Sequence, residues 1–413
     1  QDNGTFAYQH NDWNFIKGGD GGGNYLSDNA EMNIHSINNV VVACRGKKKR
    51  YFSPNKQFTS WYIDFPVEVS AQDSIILFGS SRKSDNTNAR LFFQSMDKIE
   101  QNGVEIPGML RVGEIAVSAT NNNLIFVAEG EHTDKHDKAP QVVKTTNKGA
   151  SFIDLTDGLV YPDPYNSVPG RSRDTLTLRE ILGYKTITDI EIDPYLNSVL
   201  YVSLSGNFKP ETWSKSWEFY RVLKSEDGGE SWYDYSQGLP ITPIHCLLRD
   251  ERDEAILFCG GDEGVYQKDR YNGVWENYDN QLPKNTTITD IKINYCQDEI
   301  YCSTYGRGVY KSNLYTISDY TEITEDTKID SYTFVKRDID VKRGVILTIN
   351  TDILMGPSIE ITLEPKSKLI IDGGSISSSC DHKWNGIKIK EKKFLWIFKR
   401  KKGEVILKNG GTI

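Results

Sequence analysis

The 413-residue sequence predicts an all-β protein whose main part is a repeated array of four-stranded sheets, and three observations carry that prediction. The first is a short apolar run closing on a small residue, which recurs at residues 40–44, 75–79, 124–128, 199–203, 255–259 and 299–303. The second is what surrounds it: most copies follow a run of period-two alternation, as at residues 187–193 and 288–294, with comparable runs at 112–117 and 241–247. A third strand follows, as at residues 264–268 and 308–312, and then often an aromatic fourth, which is the strand count of a propeller blade. The third observation is composition, because 22 Tyr, 16 Phe, 8 Trp and 34 Gly against 4 Met suit β-strands joined by tight turns.

Two turns share a defined chemistry. Ser225, Asp227, Gly229, Ser231 and Trp232 fit the pattern S/T-x-D-x-G-x-S/T-W/F, and Thr145, Asn147, Gly149, Ser151 and Phe152 fit it with Asn in place of Asp. The acidic or amide side chain can cap the turn amides, the glycine can take positive φ, and the aromatic ring can tuck between neighbouring sheets. These segments resemble the Asp-box, or BNR repeat, of sialidases, sortilin-type receptors and xyloglucanase-like propellers. Degenerate versions are expected at Ser95-Met-Asp97, around Trp275 and around Trp61. Residues 1–5 with Trp13 and the glycine-rich 18–21 resemble a stretch of secreted bacterial propellers, and residues 305–310 resemble the close of a blade. The resemblance implies a β-propeller over residues 1–330; six blade cores plus one partial blade suggest seven or more blades in the parent protein, with an incomplete start here. Residues 1–23 read as the outer part of a blade whose inner strands are missing; a segment near 329–335 closing the ring by strand exchange is the alternative.

After residue 330 the pattern changes to short alternating strands at 339–344, 345–349, 358–363 and 368–373, separated by Gly, Pro and Asn turns. None closes a core alone, so stacked rungs of a β-solenoid are expected over 331–413. This segment, including residues 384–387, resembles the solenoid opening of surface proteins exported by the type IX secretion pathway, and it breaks off in mid-pattern.

With 49 Lys plus Arg against 57 Asp plus Glu, the net charge of −8 gives no case for a nucleic-acid partner. No run approaches the roughly 18 apolar residues of a transmembrane segment, and residues 1–20 have neither the basic start nor the apolar core of a secretory signal. Cys44 and Cys259 take the small-residue position held elsewhere by Gly79, Ala128, Ser203 and Ser303, which suits a buried thiol. Cys302 falls one residue earlier and is expected on the opposite face; bridges Cys246–Cys259 or Cys296–Cys302 stay open for a secreted protein, and Cys380 has no argued partner.

Candidate chemistry is sparse. A sialidase site would need an arginine triad, and Arg111, Arg171, Arg173, Arg179, Arg221 and Arg307 are available, yet the FRIP-type motif is missing. A xyloglucanase-like site would need two facing carboxylates; Asp20 is one candidate, though a glycine-rich turn explains it more simply. His10, His35, His132 and His136, with Asp134 and Asp137, lack ligand spacing, and Asp250, Glu251, Asp253 and Glu254 read as a solvated hairpin turn rather than a calcium loop. The basic run 383–403 around Phe394-Leu-Trp-Ile-Phe398 could attach to anionic glycan or lipid, or be a packed hairpin. Insertions at 130–139 and 161–179 are expected to form a binding surface. No catalytic, cofactor or metal residue is assigned. The expected protein is a non-catalytic, secreted or cell-surface adhesion or glycan- and protein-binding scaffold, exported as type IX cargo, with surface glycans or proteins as partners; the alternative is a glycoside hydrolase.

Overall fold

The computed structural model describes the strands between Thr5 and Phe52 and residues 66–413, except 71–72, 74, 81–86, 97–102, 131–138, 163–174, 184, 194–195, 207–219, 251–255, 269–272, 279–280, 295–298, 315–321, 331–332, 336, 357–358, 379–383 and 393–400. The chain divides into two compact units, the first holding residues 1–249, 256–291 and 302–310, the second 250–255, 292–301 and 311–413.

Antiparallel sheets follow one another along the first unit. A hairpin, Thr5–Gln9 with Asp12–Lys17, precedes the first four-stranded sheet, Gly21–Leu26, Met32–Ile37, Val40–Arg45 and Lys48–Phe52. Gly21 therefore opens a strand of this sheet, whereas the sequence pattern assigns residues 21–23 to an outer, preceding blade. The second sheet is Val67–Val69, Ile76–Gly79, Arg90–Gln94 and Val104–Glu105; the third is Val112–Val117, Ile125–Glu129, Val142–Thr145 and Ile153–Asp154. The fourth contains Ile187–Ile192, Leu200–Leu204, Val222–Ser225 and Ser231–Asp234; the fifth contains Ile244–Arg249, Leu257–Gly261, Gly264–Lys268 and Glu276–Asn277. A sixth, three-stranded sheet consists of Ile288–Asn294, Glu299–Thr304 and Gly308–Asn313.

Within each sheet the strands run in chain order, except that Leu159–Tyr161 and Leu176–Thr177 add to the outer edge of the fourth, the former parallel to Ser231–Asp234; the first strands of the third, fourth and fifth sheets pack in succession. Second strands are buried on both faces: every residue of Ile125–Glu129, Leu200–Leu204 and Leu257–Gly261 is shielded. Apolar clusters bridge successive sheets, so that Phe126, Ala128 and Val142 of the third share a core with Leu200, Val202 and Trp232 of the fourth. First strands of the third, fourth and fifth sheets carry a β-bulge near their start, at Val112/Glu114, Ile187/Asp189 and Ile244/Cys246. At the first of these Gly113 comes so close to Gly130 that a Cβ would lie 2.5 Å from its Cα.

Several expectations are corrected. Residues 241–243 are not strand; Pro243 has no N–H for the ladder, Ile241 is exposed, and the strand begins at Ile244. In the last copy of the recurring line it is Cys302 that is fully buried, while Ser303 is half-exposed. Cys246 and Cys259 are free and cannot bridge, because their register partners are Gly260 and Leu247, which puts the two thiols on opposite faces of the sheet. Cys44 and Cys302 are also free and buried; Cys296 and Cys380 lie outside the described residues. Asp250 is 3% exposed, not a solvated turn residue.

Among the described residues from Glu322 on, the sheets are parallel apart from one small hairpin. Three run side by side in sequence: Glu322–Ile323, Ile339–Val341, Glu360–Leu363 and Gly386–Ile389; Thr327–Ile329, Ile346–Ile349, Lys368–Asp372 and Glu404–Lys408; and Thr333–Val335, Asp352–Met355 and Ser375–Ser378. Each strand pairs with the one three strands on, so the chain coils and like positions stack, as in Ile329, Ile349 and Ile371. Burial alternates along these strands, and the inward residues form one core. The coil begins at Glu322. Thr327–Ile329 and Thr333–Val335 belong to it, which removes the strand exchange considered for 329–335.

Candidate functional site

In an antiparallel four-stranded sheet, connections between strands one and two and between three and four leave from one end; those between two and three, and on to the next sheet, leave from the other. Both predicted turns join strands three and four. At the first, the Ser225 hydroxyl donates to Asp227 Oδ1 at 2.8 Å and accepts the Gly229 N–H at 2.8 Å. Asp227 Oδ1 accepts the Ser231 N–H at 2.9 Å, and Oδ2 accepts the Ser231 hydroxyl at 2.5 Å. Burial raises the Asp227 carboxyl, but the Ser231 and Ser225 hydrogen bonds outweigh it and hold the carboxyl below its usual range. Gly229 has φ +89°, and a Cβ there would lie 2.6 Å from Leu155 Cδ1. Trp232 is fully buried in the core shared with the third sheet.

The second turn repeats the arrangement. Thr145 Oγ1 donates to Asn147 Oδ1 at 2.8 Å and accepts the Gly149 N–H at 2.9 Å; Asn147 Oδ1 accepts the Ser151 N–H at 2.9 Å. One polarity is reversed, because Asn147 Nδ2 donates to Ser151 Oγ at 2.8 Å where Asp227 accepts. Phe152 is partly buried against the core of the second and third sheets. Trp275 is 2% exposed and its Nε1 donates to the Tyr235 carbonyl at 2.7 Å; Trp61 and Asp97 lie outside the described residues. These side chains are engaged with their own turns and cores.

The opposite end is where the long connections leave: those containing 53–65, 81–86, 131–138, 163–174 and 207–219 all join strand two to three or lead to the next sheet. The polar side chains described there have local work. Glu129, 1% exposed, accepts the N–H groups of Leu110 and Gln141 at 2.5 and 2.8 Å. Lys185, 3% exposed, donates to the Tyr220 carbonyl at 2.7 Å. His245 Nε2 lies 2.8 Å from Asp262 Oδ1, both part-exposed. The predicted arginines are held separately: Arg179 by Asp157 at 2.6 Å, Arg221 on the Tyr220 carbonyl at 3.0 Å, and Arg307 on Thr286 at 3.2 Å; Arg111 precedes the third sheet, and Arg171 and Arg173 lie outside the described residues. The Arg179 hydrogen bond holds the Asp157 carboxyl below its usual range.

The sequence reading missed a helix here. Leu178–Leu182 is opened by a capping box, Thr177 accepting the Glu180 N–H while Glu180 accepts the Thr177 N–H, and it buries Leu178, Ile181 and Leu182 against the Trp232 core. Residues 177–180 and the apolar spacing signal it. Asp20, His10, His132, His136, Asp134, Asp137, Glu251, Asp253 and Glu254 lie outside the described residues, and His35 sits on strand Met32–Ile37. In the basic run, Lys388 pairs with Glu360 at 3.1 Å and Lys402 with Glu391 at 2.6 Å, while Phe394 to Phe398 lie outside the described residues. Among the described residues no group of three or more His, Cys, Asp or Glu could hold a metal ion, and no helix is long and apolar enough to cross a membrane.

No family model matches the chain, and no curated relative matches it. Solved structures do. The GH74 xyloglucanase of Xanthomonas campestris aligns over 74% of this chain and 46% of its own, at 10% identity and a TM-score of 0.50. A chain from the outer coat vertex of COPII on membranes aligns over 74% of this chain and 73% of its own, also at 10% identity and 0.50. The chain thus spans a little under half the length of the xyloglucanase. At such identities the likeness concerns fold alone, and the fold is a β-propeller.

Proposed function

We propose that this chain is a non-catalytic recognition scaffold, in which propeller sheets hold long connections towards a glycan or protein partner. The observation that carries the reading is where the longest connections leave: the internally bonded turns Ser225–Trp232 and Thr145–Phe152 lie at one end, and the connections containing 131–138, 163–174 and 207–219 at the other. At that end Glu129 is engaged with the amides of Leu110 and Gln141, and Asp262 faces His245. The turns at Ser225–Trp232 and Thr145–Phe152 we assign as Asp-boxes with a scaffolding role, and the parallel coil as a β-solenoid. A secreted or cell-surface location and export as type IX cargo belong to the same proposal and rest on the resemblance stated above.

A glycan array and a pull-down from surface extracts test it. Replacing residues 164–173 by a short Gly-Ser linker is expected to abolish or weaken capture at least tenfold without shifting the unfolding transition; unchanged capture overturns the reading. The second reading, a glycoside hydrolase, is favoured by the likeness to a xyloglucanase. Release of reducing ends from xyloglucan by the purified chain would establish it in place of the first.

A further inference from the structure

Glu404–Lys408 is the last strand of its sheet, paired with Lys368–Asp372 on one side and with no strand among the described residues on the other. The ladder shows which backbone groups that pairing uses. The Glu404 N–H donates to the Ser367 carbonyl at 3.0 Å, and the Lys408 carbonyl accepts the Gly373 N–H at 3.1 Å. A parallel ladder engages alternate residues, so Glu404, Ile406 and Lys408 bond to the preceding coil, while the N–H and C=O groups of Val405 and Leu407 point outwards along the open edge.

The side chains of those two residues lack cover as well. In register they continue the inward columns of Leu369 and Ile371, both 0% exposed, yet Leu407 is 53% exposed and Val405 only partly buried. The neighbouring column ends the same way, fully buried Leu363 being followed by Ile389 at 44%. The first coil offers no such surface, since Ile323, Ile329 and Val335 are 3%, 3% and 1% exposed. A copy therefore cannot stack head to tail on this end, whereas the strand itself is self-complementary. Laid antiparallel against its own sequence about Ile406, Glu404-Val-Ile-Leu-Lys408 sets Glu404 opposite Lys408 at both ends, Val405 opposite Leu407, and Ile406 opposite itself.

We propose that the Glu404–Lys408 edge is a homodimer interface, on which the same strand of a second copy pairs antiparallel about a two-fold axis at Ile406. The hydrogen-bond phase agrees with the side-chain pattern: the outward groups of Val405 and Leu407 fall opposite one another as bonded pairs, and Ile406 meets its counterpart in a non-bonded pair. The axis stands perpendicular to the sheet, so inward side chains stay on one side, and Leu407 of each copy covers Val405 of the other. Glu404 meets Lys368 at 3.3 Å in its own coil, and its side chain, 57% exposed, leaves room for the lysine of the second copy.

Sedimentation velocity of the full chain over a concentration series tests this. A monomer–dimer equilibrium is expected. Glu404→Lys and Lys408→Glu, both at exposed positions, should each weaken it at least tenfold, because each sets like charges opposite one another at both ends of the paired strands. An equimolar mixture of the two variants should restore the dimer, since one copy then carries two lysines and the other two glutamates. A chain that stays monomeric at millimolar concentration overturns the proposal. So does a dimer that both variants keep within twofold of the parent, which would place the second copy elsewhere, and so does a dimer that both variants lose and their mixture fails to regain.

Discussion

The two units bury their strands in opposite ways. In the first, a strand such as Leu200–Leu204 lies between two neighbouring sheets and is shielded on both faces; in the second, Ile346–Ile349 and Lys368–Asp372 bury alternate residues and leave the others to solvent. A doubly covered strand carries no alternation to fix its phase, so its register must come from elsewhere: bulges, close glycines and side chains that reach the next sheet. A coil strand is phased by its own pattern, since a slip of one residue would turn Ile346 and Thr348 inward in place of Leu347 and Ile349.

Changes at four positions break or sharpen that contrast. The largest effect is expected from Trp232→Ala, which empties the core shared by two sheets and should cost about 3–5 kcal/mol. Urea unfolding followed by circular dichroism measures it, with hydrogen exchange showing the loss in residues 112–235 and not in 339–376. Trp232→Phe should lose far less, because the indole N–H makes no hydrogen bond in the core. Ile349→Ala comes next. It cuts the column between Ile329 and Ile371 and should cost about 2–4 kcal/mol, with exchange rising in the strands above and below while the first unit stays protected.

Gly260→Ala should cost about 1–3 kcal/mol, because the new methyl would lie 2.6 Å from Ile288 Cγ2 and 2.7 Å from Cys246 Sγ. Burial also pushes the Cys246 and Cys259 thiols well up, so a thiol reagent should label them only on unfolding, and Cys246 sooner in this variant. The smallest effect separates the two turns. The depressed Asp227 carboxyl contributes stability that is complete above the ordinary aspartate value, about 3.9, and is lost as pH falls through its lowered folded value. Asn147 has no such proton to take up. Acid titration by NMR should therefore shift the Gly229 and Ser231 amides while Gly149 and Ser151 stay put, and Asp227→Asn should remove the difference at a cost below about 1 kcal/mol for so exposed a group.

What is legible in the sequence follows the same contrast. Runs with a half-exposed strand show their pattern plainly: Val112–Val117, Ile187–Ile192 and Ile288–Asn294 are strands, and the coil strands Ile346–Ile349 and Lys368–Asp372 alternate as expected. Turn residues are legible because their chemistry is local; Ser225, Asp227 and Ser231 bond one another within seven residues. Phase within the recurring line itself is less legible: along Glu299–Thr304 burial falls on Ile300, Cys302 and Thr304, so the line points to Ser303 for a place that Cys302 fills. Nor can pairings over long separations be read. Thr188 with Ile244, Asp189 with Leu247, and the buried ion pair of Arg249 with Asp193 all join segments far apart in sequence. The long connections show little sequence pattern of either period.

One pairing in the fourth sheet bears on how the chain leaves the ribosome. Leu159–Tyr161, which directly follows the third sheet, lies parallel to the outer strand of the fourth, Leu159 beside Ser231 and Tyr161 beside Tyr233. An N-terminal-first chain can pair one edge of this early strand with Leu176–Thr177 but leaves the other edge open until the later strand has emerged, with all of 187–225 in between. The two sheets therefore mature together during synthesis, and a stall or a truncation before Ser231 would leave a naked strand edge ready to pair with the wrong neighbour.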